Sequence, residues 1–279
     1  MAQAGRSDSF AARHPFLLFV LLAYALSWTA WISGFILAAT PGETVGHYAG
    51  GFGPLIAALI VVATLRRSPW RWFLGLFKWR VHVGWYLLVL GLPVAMVVVA
   101  SGLFAALGYT IDLGLLPERL ASFAPLYVVM AVIGGGNEEP GWRGFGLPTL
   151  QARLTPLSAT LLLGIIWALW HLPLLWGDPA VRAGEVPAAD LAPRVALLIA
   201  SITAHAFWYT WIINRTGSVL LCILLHAGYN TSNGLLVLVP EADLHGAAEA
   251  VLLPIMTGVV VGSVLVLLAA TRGRLGKPA

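Results

Sequence analysis

The chain has 279 residues, of which 59% are hydrophobic and only 10% charged, and its mean hydropathy is +0.86. That composition excludes an ordinary soluble domain and points to an integral membrane protein. The 16 basic residues against 12 acidic ones, and the pI near 9.5, then reflect membrane topology and give no sign of a nucleic-acid partner.

Crossing a bilayer core of roughly 30 Å takes about 20 apolar residues in a helix. Segments of that length lie at about 15–39, 48–65, 84–108, 123–147, 155–176, 192–213, 217–239 and 247–270. The expected fold is therefore all-α, a polytopic bundle of about eight transmembrane helices forming a single membrane domain over 1–279. The first segment is too long for a signal peptide and has no clear small-residue cleavage site, so it reads as a retained span.

With both termini in the cytoplasm, the cytoplasmic segments hold Arg6, Arg13, Arg66, Arg67, Arg71, Lys78, Arg80, Arg143, Arg153, Arg215, Arg272, Arg274 and Lys277. Only Arg119, Arg182 and Arg194 fall outside, an asymmetry that supports this orientation in a cell membrane. Between the second and third spans, SPWRWFLGLFKWRVHV (Ser68 to Val83) mixes aromatic and basic residues as a surface-lying helix would. GDPAVRAGEVPAADL (177–191) reads as an outer loop, and the lone Cys222 as apolar filler.

Ionisable residues inside spans are costly and usually functional. They begin in GGGNEEPGWRGF (134–145), which sits at the end of an apolar run. Residues four apart share a helix face, so Glu139 and Arg143 are expected to pair, leaving Glu138 on another side and free to act. Gly134, Gly135 and Gly136 would let a neighbouring helix or a substrate backbone approach. His171 follows in the fifth span, His205 in the sixth, and His226, Asn230 and Asn233 form an i, i+4, i+7 stripe in the seventh. The 1.5 Å rise per residue puts Glu138 and His226 roughly 13 Å, and His205 roughly 12 Å, from the cytoplasmic boundary. His171 comes out deeper, at about 24 Å, which requires the fifth span to tilt, start late or be irregular.

A carboxylate and an imidazole in a low-dielectric cavity can activate a water, while a second imidazole and an amide can stabilise an oxyanion. Two histidines and one carboxylate could instead hold a Zn²⁺, leaving the residues open to both chemistries. Intramembrane Glu and His also build proton relays, but no duplicated halves of the kind transporters show are present. A non-catalytic scaffold or immunity factor would use the same polar cavity for binding.

Glu138-Glu139-Pro-Gly-Trp-Arg143, Trp167-Ala-Leu-Trp-His171 and His226-Ala-Gly-Tyr-Asn230 resemble the EExxxR, FxxxH and HxxxN motifs of the CAAX protease and bacteriocin-processing (CPBP, or Abi) intramembrane endopeptidases. Trp167 stands where that pattern has Phe. The resemblance implies that Glu138 and His171 activate water and that His226 and Asn230 stabilise the oxyanion, within a core at about 123–239. Glu139, Arg143 and His205 would support them. It implies a peptide or protein substrate, with or without a lipid modification, met in the membrane lipid, and either no required cofactor or a zinc ion on Glu138, His171 and His226.

Overall fold

The computed structural model describes residues 10–38, 40–239 and 247–276. Arg6 and Lys277 of the topology argument lie outside the described residues. All described secondary structure is helical. The main helices are α1 (Pro15–Ile36), α2 (Pro41–Gly50), α3 (Gly53–Thr64), α4 (Pro69–Leu74), α5 (Val83–Ala106), α6 (Leu116–Val132), α7 (Leu147–Gln151), α8 (Pro156–Trp170), α9 (Leu172–Gly177), α10 (Ala188–Thr216), α11 (Val219–Leu235) and α12 (Ala247–Thr271).

Among the described residues six helical stretches are long and apolar enough to cross a bilayer, and α2 with α3 makes a seventh that bends by 48°. The remaining expected span is α11, which has only 17 residues. All eight expected segments are thus helical, but the details differ from the sequence reading. The second span starts earlier, at Pro41, because Thr40 caps α2 by accepting from the Gly42 N–H. The surface helix is confined to Pro69–Leu74, and the residues after Gly75 run on without helix to Val83. In the 177–191 loop, Asp178 caps a single helical turn, Pro179–Arg182.

The largest departure is in the fourth span, which is broken. The helix α6 ends at Val132, and Gly135 adopts φ 124°, a region that an L side chain rarely enters. A 3-10 turn (Gly136–Glu138), a short helical piece (Glu139–Gly141) and a π-helix (Trp142–Gly146) lead on to α7. Pro140 and Pro148 lack the N–H that a regular helix would need there, and the Leu147 N–H reaches back five residues to the Trp142 carbonyl.

Close helix contacts position this segment. Ser27 of α1 donates to the Gly50 carbonyl at 2.7 Å, beside the bend between α2 and α3. Gly164 lets α8 approach Thr203 of α10. Trp31, Trp142 and Trp170 form the buried centre, with ring centroids 4.5 Å apart for Trp31–Trp170 and 5.7 Å for Trp142–Trp170. The start of α11 is covered by the segment after α4. The Val219 N–H donates to Leu76 O at 3.1 Å, and Ser218 Oγ to Lys78 O at 2.6 Å. Arg182 pairs with Glu43 at 3.1 Å, so α2 and the turn after α9 share one end of the bundle.

The Gly46→Ala substitution tests the α1–α2 contact. Its Cβ would lie 2.7 Å from both Ala30 O and Gly34 Cα, so overpacking should destabilise the protein by about 1–3 kcal/mol. Gly262→Ala, where a Cβ meets nothing within 4 Å, is the control. Thermal unfolding in detergent should show a lower midpoint for the first only.

Candidate active site

The broken fourth span supplies a buried ion cluster. Glu139 is 0% and Arg143 1% exposed, with Arg143 Nε 3.3 Å from Glu139 Oε2. The i, i+4 pair inferred from sequence is therefore present. The guanidinium is stacked between Trp167 of α8 at 4.1 Å and Tyr209 of α10 at 4.3 Å. His226 of α11 approaches the same carboxylate, Nδ1 to Glu139 Oε1 at 2.7 Å. An ionised carboxylate only accepts, so the proton of this bond lies on Nδ1. Arg143 is sealed inside the bundle and drops out of the cytoplasmic charge count.

Glu138 points elsewhere, into a cavity of about 430 Å³. It is not free of partners, since the Trp167 indole N–H donates to Oε2 at 2.7 Å. His171 lines the same cavity, and its Nδ1 lies 2.8 Å from the Trp167 carbonyl. A carbonyl can only accept, so the neutral ring keeps its proton on Nδ1 and an acceptor lone pair on Nε2. The depth mismatch expected for His171 shrinks because the fourth span continues to Gln151. Thirteen residues at 1.5 Å place Glu138 roughly 20 Å from that end, near the 24 Å of His171.

His226, Asn230 and His205 also line the cavity. Asn230 Nδ2 donates to the Gly134 carbonyl at 2.7 Å, which pins the broken helix end, leaving one N–H of the amide for another acceptor. A Cβ on Gly135 would sit 2.5 Å from His226 Nε2, so the expected close approach at the glycines is met here by the site's own histidine. His205 is 5% exposed, with Nδ1 2.8 Å from Ser201 O and Nε2 unpartnered. Asn233, the third member of the stripe, lines a separate pocket with Arg119 and Thr257.

The sequence reading missed three contributors and understated a fourth. Trp167 is more than a ring, because its N–H holds Glu138. Tyr209 covers Arg143, and His47 and Tyr48 of α2 complete the cavity wall. The FxxxH-like spacing signalled Trp167, whereas His47 lies before the expected second span and Tyr48 at its first position, and neither carried a signal. Buried Cys222 lies against Tyr209 O and Ser218 O at 3.8 Å, consistent with filler.

Among the described residues no group of three or more His, Cys, Asp or Glu side chains is arranged to hold a metal.

Residues 120–232 match the family model described as type II CAAX prenyl endopeptidase Rce1-like. The match contains all three motifs and bears out the resemblance drawn from them. The chain is also 27% identical over 123 residues to CAAX prenyl protease 2 of Methanococcus maripaludis, an alignment covering 44% of each chain.

Removing one member of the buried pair leaves a charge uncompensated, which costs about 3–5 kcal/mol. Arg143→Met should therefore lower the unfolding midpoint sharply, and adding Glu139→Gln should recover much of the loss. An unchanged midpoint for Arg143→Met would show that the pair contributes nothing.

Proposed function

We propose that this multi-pass membrane protein is an intramembrane endopeptidase that hydrolyses a peptide bond with a water activated by Glu138 and His171. The observation that carries the reading is the separation of two adjacent carboxylates, one locked to Arg143 and His226 and one facing the cavity beside His171. The similarity to CAAX prenyl proteases over the same residues supports it.

In this mechanism a water between Glu138 and His171 Nε2 gives up a proton and attacks the scissile carbonyl. Developing charge on the carbonyl oxygen is met by the second N–H of Asn230 and by His226, which donates from Nε2 when the ring carries both protons and Nδ1–H stays on Glu139. The accepted proton is then returned to the leaving amine. His205 supports the cavity wall. Water activation needs no metal in this scheme. The substrate is a peptide or protein segment, lipid-modified if it follows the named relative, and the membrane concerned is the cell membrane.

Glu138→Gln should reduce cleavage of a quenched fluorescent peptide by about 10²–10⁴-fold with normal insertion, the range for loss of a positioned base. Activity of the parent chain should persist in a strong chelator. Loss that zinc restores would replace this scheme by a metal-assisted one.

Trp167→Phe keeps a ring against Arg143 but removes the donor to Glu138. A hydrogen bond to a charged group contributes about 1.5–3 kcal/mol to stability, so the unfolding midpoint should fall, and a carboxylate no longer held in place should lower kcat roughly tenfold or more. An unaltered kcat would show that this bond does not position the carboxylate.

A further inference from the structure

A groove of about 760 Å³ that shares no lining residue with the cavity runs between α5, α10 and α12. Its apolar floor includes Leu88, Trp208, Trp211 and Leu267, and Val266 on its edge is 70% exposed, as a lipid-facing residue would be. At one end stand Arg215, in the last turn of α10, and Arg274, in the hook that follows α12. Both are exposed, and among the described residues neither makes an ion pair.

The hook is held in a costly shape. Arg272 and Leu275, neither of them glycine, adopt φ 50° and 45°, and Gly273 and Gly276 are left-handed too. Two contacts maintain it. Asn214 Nδ2 donates to the Leu275 carbonyl at 2.9 Å, and the Leu275 side chain is fully buried beside Phe207, Val264 and Leu267. Gly276 packs on the stem of Arg215. Strained backbone thus keeps two like charges at the mouth of one apolar groove.

We propose that this groove binds an anionic phospholipid, its phosphate between Arg215 and Arg274 and an acyl chain along Trp208, Trp211 and Leu88. Charge complementarity selects the occupant: the mouth is cationic, the floor is apolar, and the groove opens where lipid surrounds the helices. The cytoplasmic leaflet, to which the basic excess assigns this end, is the anionic one. Helix-dipole compensation by Arg215 would explain a basic residue at the end of α10, but not the strained hook that brings Arg274 beside it.

The test is titration of the detergent-purified full chain with dioleoyl phosphatidylglycerol and dioleoyl phosphatidylcholine, read by native mass spectrometry. Phosphatidylglycerol should bind more tightly. Arg215→Gln with Arg274→Gln should cut that preference about 25-fold, taking about fivefold for each arginine at a membrane surface. Asn214→Ala, which frees the hook while keeping both charges, should also weaken it. Arg66→Gln with Arg67→Gln removes two exposed arginines from another loop and should change nothing. Equal binding of the two lipids, or an equal loss in the Arg66/Arg67 pair, overturns the proposal. Unfolding midpoints of all variants report whether each remains folded. Peptide cleavage plays no part in this readout, so it stands or falls separately from the protease assignment.

Discussion

The carboxylate of Glu139 is the point on which the rest of the site depends. It takes hydrogen bonds from Arg143 in its own broken span and from His226 of α11, and Arg143 is in turn gripped by rings from α8 and α10. Four segments are therefore tied through one fully buried anion. A charge so far from water is tolerated only with its partners in place, which makes their geometry a condition of folding. His226 is aimed by that anion through its Nδ1–H.

The break in the fourth span is what brings the ion cluster and the cavity to one place. A continuous helix would spend every backbone group internally and keep its neighbours at side-chain distance. Gly135, at φ 124°, instead turns the chain under His226, and the freed Gly134 carbonyl is taken by Asn230. The prolines and the π-helix that follow re-aim Arg143 between its two rings. Backbone irregularity at this depth is tolerable because it is buried in protein or lines the cavity, and no lipid meets it.

Much of this was legible in the sequence. Hydropathy located all eight helices, and i, i+4 spacing found the Glu139–Arg143 pair, because both signals are local. The start of the second span was missed since its N-terminal half, PGETVGHYAG, is polar enough to look like loop. For the same reason His47 and Tyr48 escaped notice as cavity residues. The partners of His226 and Asn230 were out of reach because they come from residues 87 and 96 positions away. Periodicity put Asn233 on the same stripe as both, yet that stripe curves out of the cavity by its third member.

Trp167 shows how a conservative-looking departure changes the chemistry. Successive helix residues differ in direction by about 100°, so Glu138 and Glu139 cannot face the same partner. One residue of α8 serves both sides of that division. The ring face of Trp167 covers the guanidinium that neutralises Glu139, its indole N–H holds Glu138, and its carbonyl fixes the proton of His171. A phenylalanine could supply the first and third of these contacts but has no donor for the second. With Trp167 in place, the orientation of the cavity carboxylate is set by the same side chain that stabilises the buried one, so Glu138 and the Glu139–Arg143 pair are positioned together.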